Sequence, residues 1–230
     1  MGTVADNLSA VKERIAKAAA RVGRDPEGIT LVAVTKTVPA ERIREAIAAG
    51  HRVFGENRVQ EAQGKVEALG RDVQWHLIGH LQRNKVKPAC ALFDLIHSVD
   101  SLPLAQDINA RAARHGIVMP VLIQVHIGDE ATKSGAAASE TLALVRQVAG
   151  LSHVVIRGLM CVPPAVEIAE HARPSFIELR TLAEQIAAAR IPTVSMAELS
   201  MGMSHDFEVA IEEGATMVRV GSAIFGARPV

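Results

Sequence analysis

The chain has 230 residues, of which 49% are hydrophobic, and its 25 basic side chains balance its 25 acidic ones. A neutral chain without a basic run lacks the electrostatic footprint of a nucleic-acid-binding protein, and no segment approaches the roughly 20 apolar residues of a membrane span. The two cysteines, Cys90 and Cys161, lie far apart in apolar segments, which predicts buried thiols in a reducing cytoplasm rather than a disulfide or a metal site.

The N-terminal segment predicts an amphipathic helix rather than a signal peptide, because it has no continuous apolar core. Its apolar side chains recur at steps of four and three residues, at Val4, Leu8, Val11, Ile15, Ala18 and Val22. Asp6 or Asn7 is expected to cap this helix, and Gly23 to end it.

Strand and helix patterns alternate along the rest of the chain. Apolar, β-branched runs predict strands at 29–34, 52–56, 73–79, 92–99, 117–127, 154–162, 193–200 and 216–221. A helical segment follows each of them, the last two being 204–213 and a short helix after 221. Repeated βα units predict a parallel sheet, and eight of them without a GxGxxG motif favour a barrel over a doubly wound sheet. The sequence therefore predicts one α/β domain over residues 1–230, a single (β/α)8 TIM barrel with an extra N-terminal helix.

Glycines and serines follow the last two predicted strands, in "SMGMS" (200–204) and "GSA" (221–223). Ordinary turns would explain the glycines. However, these two segments are neighbours in a closed barrel, at the end where such folds often hold phosphate on backbone N–H groups. We favour a phosphate-binding cup that includes Ser200, Gly202, Ser204, Gly221 and Ser222.

Two basic residues flank this cup. Lys36 ends the first strand in "LVAVTKT", where it is either a lysine that reaches solvent or an amine poised to form a Schiff base. Arg219, in "VRVGS", lies among valines on the eighth strand, and an inward orientation would bring it to a pyridine ring nitrogen and disfavour protonation there. A lysine beside a phosphate cup indicates pyridoxal 5′-phosphate as the cofactor.

Other polar residues also stand at strand ends. Glu56, Asn57, His76 and His80 are candidates to line the same mouth. The two histidines are four residues apart, but Gly79 and the preceding strand argue against one helix through both, so capping or core hydrogen bonds are favoured over metal binding. Met160 is expected to pack in the core, and the segment 128–135 to form a polar loop.

Six segments carry a resemblance to a known family. "AVTKT", "FGENRVQEA", "WHLIGHLQRNK", "GLM", "LSMGMSHDFEVAI" and "VRVGSAIFGAR" resemble the pyridoxal-phosphate homeostasis protein family, also called the proline synthetase co-transcribed homologue family, over about residues 1–228. That family is similar to the N-terminal barrel of alanine racemase. The resemblance implies that Lys36 forms the Schiff base and that Arg219 faces the ring nitrogen. It further implies that Asn57 lies near the cofactor and that the phosphate is held by Ser200, Met201, Gly202, Gly221 and Ser222.

The resemblance implies a cytoplasmic carrier or regulator of vitamin B6 without established catalysis, with pyridoxal-phosphate-dependent apoenzymes as candidate partners. The chain contains no tyrosine, the residue from which the similar racemases take their second base, and we expect no catalytic residue and no metal. A racemase or isomerase that uses Lys36 with His76 or His80 is the alternative. A barrel that binds another phosphorylated metabolite, with Lys36 only as a cation, is a third hypothesis.

Overall fold

The computed structural model describes residues 2–128 and 134–226. Most of the predicted polar loop, residues 129–133, lies outside this part. The described strands are β1 Thr30–Val34, β2 Val53–Glu56, β3 Gln74–Leu77, β4 Leu95–Val99, β5 Met119–His126, β6 Ala136–Ala137, β7 Val154–Cys161, β8 Glu198–Met203 and β9 Met217–Val220. The described α-helices are α1 Val4–Arg21, α2 Ala40–Ala48, α3 Val59–Leu69, α4 Val86–Leu92, α5 Leu102–His115, α6 Ala138–Ala149, α7 Arg173–Ala188, α8 Phe207–Glu212 and α9 Ser222–Phe225. Within these segments, no helix is long and apolar enough to cross a membrane.

The strands close into a parallel barrel. β1 pairs with both β2 and β9, and the circuit continues through β3, β4, β5, β7 and β8 back to β9, while two-residue β6 extends the edge of β5. The helices surround this ring of eight strands. The predicted (β/α)8 barrel is confirmed.

The inside of the barrel is apolar at one level and polar at the next. The apolar level is a cluster of buried side chains formed by Val32, Leu95, Leu122, Met160 and Met217, so the prediction that Met160 packs in the core is confirmed. Side chains two residues apart on a strand share a face. The polar residues two positions beyond Leu95, Leu122 and Met217, towards the carboxyl ends of their strands, are His97, Gln124 and Arg219.

Helix α1 covers the α8 and α9 side of the barrel. The predicted cap at Asp6 or Asn7 is wrong, because the helix begins earlier. Thr3 is the N-cap, and its hydroxyl and the Asp6 carboxylate form a reciprocal capping box. Gly23 follows the end of the helix with a φ of 66°, as predicted for a terminating glycine.

Strand β8 lies further along the chain than the sequence pattern predicts. The prediction placed it at 193–200, but it spans Glu198–Met203, because residues 198–200 pair with β7 and Met203 pairs with Arg219 of β9. The register shifts between Ser200 and Met203, where Gly202 adopts a φ of 88°. A side chain at Gly202 would collide with Ala210 and Phe207, so glycine lets α8 approach the strand closely.

Candidate functional site

A cavity of about 520 Å³ opens at the carboxyl ends of the strands. Its volume falls in the range of small-molecule sites, roughly 300–1,000 Å³. Apolar walls come from Val34, Ile78, Val162 and Met203. The polar lining includes Lys36, Arg42, Asn57, Ser204, His205 and Arg219. The cavity therefore offers apolar surfaces together with cationic and hydroxyl groups.

Lys36 lies in a tight turn directly after β1. The amide of Val38 donates to the carbonyl of Thr35 at 2.9 Å, and this bond closes the turn around Lys36. Thr37 has a φ of 64°, a left-handed conformation that is costly for a β-branched residue. Lys36 is half-buried and lines the cavity, as the strand-end argument predicted.

A polar network of side chains outside the cavity lining is bonded to this turn. We call it the Lys65 network, and it consists of Thr35, Glu56, Glu61 and Lys65. The Lys65 ammonium donates to the Thr35 carbonyl at 2.6 Å, to Glu56 Oε1 at 2.7 Å and to Glu61 Oε1 at 2.6 Å. The Thr35 hydroxyl also donates to Glu56 Oε1. The turn is also bonded to this network through Thr37, because the Thr37 amide donates to Glu61 Oε1 at 2.6 Å.

The two carboxylates of the Lys65 network have opposite pKa shifts. Burial raises the pKa of Glu56 above its usual value, although hydrogen bonds from Lys65 and Thr35 oppose this effect. For Glu61, burial also acts upwards, but hydrogen bonds from Lys65 and Thr37 outweigh it and lower the pKa. Glu56 is fully buried, bonds to Lys65 of α3 and is absent from the described lining of the cavity, contrary to its expected position at the mouth.

Arg219 is buried at the floor of the cavity and is held by two acceptors. Its NH1 donates to Ser200 Oγ at 2.7 Å and its NH2 to the carbonyl of Cys161 at 2.7 Å. Ser200 Oγ lies 2.9 Å from His97 Nδ1, and His97 Nε2 lies 3.0 Å from His76 Nδ1. We call this series Arg219–Ser200–His97–His76 the interior chain.

The groups that can only donate hydrogen bonds determine which atom is the donor at each step of the interior chain. A guanidinium can only donate, so Ser200 Oγ accepts from Arg219 and donates its own proton to His97 Nδ1. His97 then carries its proton on Nε2 and donates to His76. Burial lowers the pKa of His76 to about 4 and that of His97 well below its usual value, and electrostatic interactions with His76 and Arg219 lower the pKa of His97 further. Both imidazoles are therefore neutral, and Arg219 supplies the positive charge of this chain.

The ends of β8 and β9 meet at one side of the cavity. Ser204 Oγ accepts from the amide of Gly221 at 3.2 Å and lies 3.5 Å from that of Ala223. Gly221 and Ser222 line the cavity beside them, and Ser222 is exposed. The two glycine- and serine-containing segments are therefore adjacent, as the barrel topology predicted.

The structure brings together five of the eight predicted site residues. The five that line the cavity are Lys36, Asn57, Arg219, Gly221 and Ser222. The other three, Ser200, Met201 and Gly202, are buried in β8 and do not contribute to its described lining. The reason is the later end of β8, which places Ser204 at the cavity instead.

Asn57 owes its position to a close backbone approach. A side chain at Gly79 would lie 2.3 Å from the carbonyl oxygen of Asn57, so only glycine lets the segment after β3 lie against it.

His76 and His80 contact different residues in the structure. His76 belongs to the interior chain, and His80 Nδ1 lies 3.6 Å from Asp100 Oδ2. Across residues 2–128 and 134–226, no three His, Cys, Asp or Glu side chains are grouped to hold a metal ion. The preference for core hydrogen bonds is confirmed for His76.

Sequence reasoning missed several residues near the site. His205, Arg42 and Phe225 line the cavity, but no strand-end pattern singled them out. Lys65 had a weaker signal, its spacing of four residues from Glu61, which is typical of a helical ion pair.

The chain is similar to known proteins over nearly its full length. Residues 7–229 match the family described as alanine racemase, N-terminal domain. The pyridoxal phosphate homeostasis protein of Aquifex aeolicus (strain VF5) is 48% identical, with 97% of each chain covered. The protein of the same name from Escherichia coli (strain K12) is 44% identical over 99% of this chain and 98% of its own. Among solved structures, PipY of Synechococcus elongatus PCC7942 with pyridoxal phosphate bound matches with a TM-score of 0.81 and 40% identity, covering 92% of this chain and 100% of PipY.

Proposed function

The chain belongs to the pyridoxal phosphate homeostasis protein family, and from this premise we propose that it binds pyridoxal 5′-phosphate as a Schiff base on Lys36. The role we propose is that of a carrier or regulator in vitamin B6 homeostasis, without catalytic turnover. The observation that carries the proposal is that one cavity holds Lys36 and the buried, fixed Arg219. The relatives' names and the ligand of PipY support the choice of cofactor.

The residues present fit this group. When bound, the cofactor would supply an aldehyde that condenses with the Lys36 amine, forming a C=N bond and releasing one water. Lys36 carries the nucleophilic nitrogen, and its turn is anchored on both sides. The apolar side chains of Val34 and Ile78 offer walls for an aromatic ring.

We assign the phosphate to the side where β8 and β9 end. Ser204, Gly221 and Ser222 line the cavity there, and the hydroxyl groups of Ser204 and Ser222 are the candidate donors. The predicted contribution of Ser200, Met201 and Gly202 stays a prediction. Their burial in β8 favours an indirect role, in which they shape the strand that presents Ser204.

Arg219 is the candidate partner of the ring nitrogen. Its NH1 and NH2 groups are held by Ser200 and Cys161, so its orientation is fixed by the fold. A permanent cation at this position disfavours protonation of a pyridine nitrogen and so weakens the ring as an electron sink. This property supports holding the cofactor rather than forming carbanions.

The racemase alternative needs a second base on the opposite face of a substrate carbanion. The chain contains no tyrosine, and His76 is committed to the interior chain. Among the described lining residues, His205 is the imidazole that reaches the cavity. Loss of an α-deuteron from an amino acid, faster than with free cofactor and abolished in His205→Ala, would favour the enzyme.

Borohydride reduction with peptide mapping tests the anchor. We expect the protein with pyridoxal 5′-phosphate to show a visible Schiff-base band that reduction fixes on Lys36, and Lys36→Ala to show neither. A reduced adduct elsewhere in the wild-type protein, or an undiminished band in Lys36→Ala, would overturn the assignment. Binding of phosphate esters without any band would instead support a site for another phosphorylated metabolite.

Two further parts of the proposal concern the cellular compartment and the proteins that would receive the cofactor. Cys90 and Cys161 are free and buried, which is typical of proteins of the reducing cytoplasm, where we place this role. We also propose pyridoxal-phosphate-dependent apoenzymes as recipients. Activation of an apoenzyme by the reducible Lys36 adduct, faster than by an equal concentration of released cofactor, would support direct delivery.

A further inference from the structure

We propose that Lys65 is a positioning residue that fixes the Lys36 turn and thereby sets how readily Lys36 forms the Schiff base. This inference rests on the proposed function. Lys65 lies on α3 and is absent from the described lining of the cavity, so it does not itself reach a ligand there. It acts through the backbone on either side of Lys36.

The Lys65 ammonium is bonded to the turn on its N-terminal side directly. It donates to the Thr35 carbonyl, the peptide group that joins Thr35 to Lys36. Glu56 accepts from both Lys65 and the Thr35 hydroxyl, which ties the side chain of Thr35 to the same charge. The residue before Lys36 therefore has both its carbonyl and its hydroxyl fixed.

The other side of the turn is bonded to Lys65 through one carboxylate. Glu61 Oε1 accepts from Lys65 and from the amide of Thr37, both at 2.6 Å. This second bond holds Thr37 in its left-handed conformation, which a threonine adopts only when its surroundings impose it. One ammonium is thus bonded, directly or through Glu61, to the backbone on both sides of Lys36.

Stability alone is a weak explanation for this arrangement. Apolar residues of similar volume often stabilise a core as well as a buried ion pair does. The Lys65 side chain is 10% exposed. Its ammonium donates three hydrogen bonds, to the Thr35 carbonyl of the turn and to two carboxylates that are themselves bonded to the turn. Convergence of this kind holds a reactive group in place, and small displacements of such groups are costly for covalent chemistry.

The test compares Lys65→Met with Lys17→Met, which removes an exposed lysine from an (i,i+4) pair with Glu13 on α1. Two probes are titrated into each purified full-length protein. Pyridoxal 5′-phosphate reports Schiff-base formation by its visible band and by the reduced Lys36 peptide, and pyridoxine 5′-phosphate, which has no aldehyde, reports non-covalent binding. We expect Lys65→Met to weaken Schiff-base formation about tenfold and to change pyridoxine 5′-phosphate affinity by less than about twofold. Lys17→Met is expected to match the wild type with both probes.

Unchanged Schiff-base formation in Lys65→Met would overturn the inference. An equal loss with both probes would also overturn it, because Lys65 would then support the cavity as a whole. A wild-type protein that yields no Lys36 adduct would refute the proposed function itself, which is a separate outcome.

Glu61→Leu provides a second variant if Lys65→Met does not fold, because Glu61 is partly exposed. Its loss removes the acceptor that the Thr37 amide shares with Lys65, while Lys65 keeps its bonds to the Thr35 carbonyl and to Glu56. We expect a drop of about threefold in Schiff-base formation, with pyridoxine 5′-phosphate binding retained. Wild-type Schiff-base formation in a folded Glu61→Leu protein would contradict the positioning role.

Discussion

Replacing Ser200 by alanine separates two roles for this residue. In the structure its hydroxyl connects Arg219 to His97, at 2.7 Å and 2.9 Å, inside the barrel. The substitution leaves one donor of Arg219 and Nδ1 of His97 without this partner. We therefore expect Ser200→Ala to lower the free energy of unfolding while it leaves the proposed phosphate end of the cavity intact.

The magnitude follows from the two groups left unpaired. A buried polar group that loses its partner costs about 1–3 kcal/mol, so two such groups cost about 2–6 kcal/mol. Arg219 keeps its bond to the Cys161 carbonyl, which places the expected loss near the lower half of that range, at about 3 kcal/mol.

Urea unfolding followed by the fluorescence of Trp75 measures this loss, because Trp75 is the chain's one tryptophan and is fully buried. Inorganic phosphate, added as a ligand, reports on the phosphate end separately. Ser222→Ala is the matched control, since Ser222 is exposed and lines the cavity. It should cost less than about 0.5 kcal/mol of stability and weaken phosphate binding.

The opposite pattern would refute this reasoning. If Ser200→Ala lost less than about 1 kcal/mol and bound phosphate about tenfold more weakly, Ser200 would be a direct phosphate ligand, as the sequence motif suggested.

Three further predictions concern acid, packing and capping. Burial lowers the pKa of His51 and of His76 from 6.5 to about 4. Between pH 6.5 and about pH 4, these histidines are therefore protonated in the unfolded chain but neutral in the folded one. Stability should therefore fall on acidification through that window by about 3 kcal/mol per histidine, and urea unfolding that is unchanged by acid would contradict this. Gly79→Ala should displace Asn57, weaken pyridoxine 5′-phosphate binding and cost at least about 2 kcal/mol, which a wild-type melting temperature would disprove. Thr3→Ala should cost about 1 kcal/mol in urea unfolding through loss of the N-cap, and Thr3→Ser should restore most of it.

The barrel could be predicted because its strands are buried on both faces. β1, for example, lies in a continuous run of β-branched and apolar residues. Strand ends were harder to place. The "SMGM" segment has the composition of a loop, yet it is the end of β8, because its backbone pairs with β9.

How well each strand end could be predicted also explains which of the expected site residues were correctly predicted to line the cavity. Lys36 and Arg219 lie where the rule for barrel strand ends predicted them, since β1 and β9 end where the pattern indicates. Ser200 was placed at the cavity because β8 was expected to end there. Three more residues of strand carry Ser204 to the cavity and leave Ser200 in the interior.

The Lys65 network could not be predicted from local patterns. A lysine on a surface helix is normally exposed, and its burial here depends on acceptors from β2, α3 and the segment after β1. Only the closed barrel brings these elements together, so the information is in the tertiary contacts rather than in the spacing along α3.

The interior chain and the Lys65 network share one physical property, which bears on why this site suits a bound cofactor. Each fixes a basic group, Arg219 or the Lys36 turn, through hydrogen bonds within the protein. Groups that are already ordered lose little further entropy when a ligand binds, so more of the binding energy appears as affinity. The same fixed Arg219 would keep a pyridine ring unprotonated and a poor electron sink. These two properties are the physical basis of the proposed role, in which the site would retain pyridoxal phosphate rather than turn over amino acids.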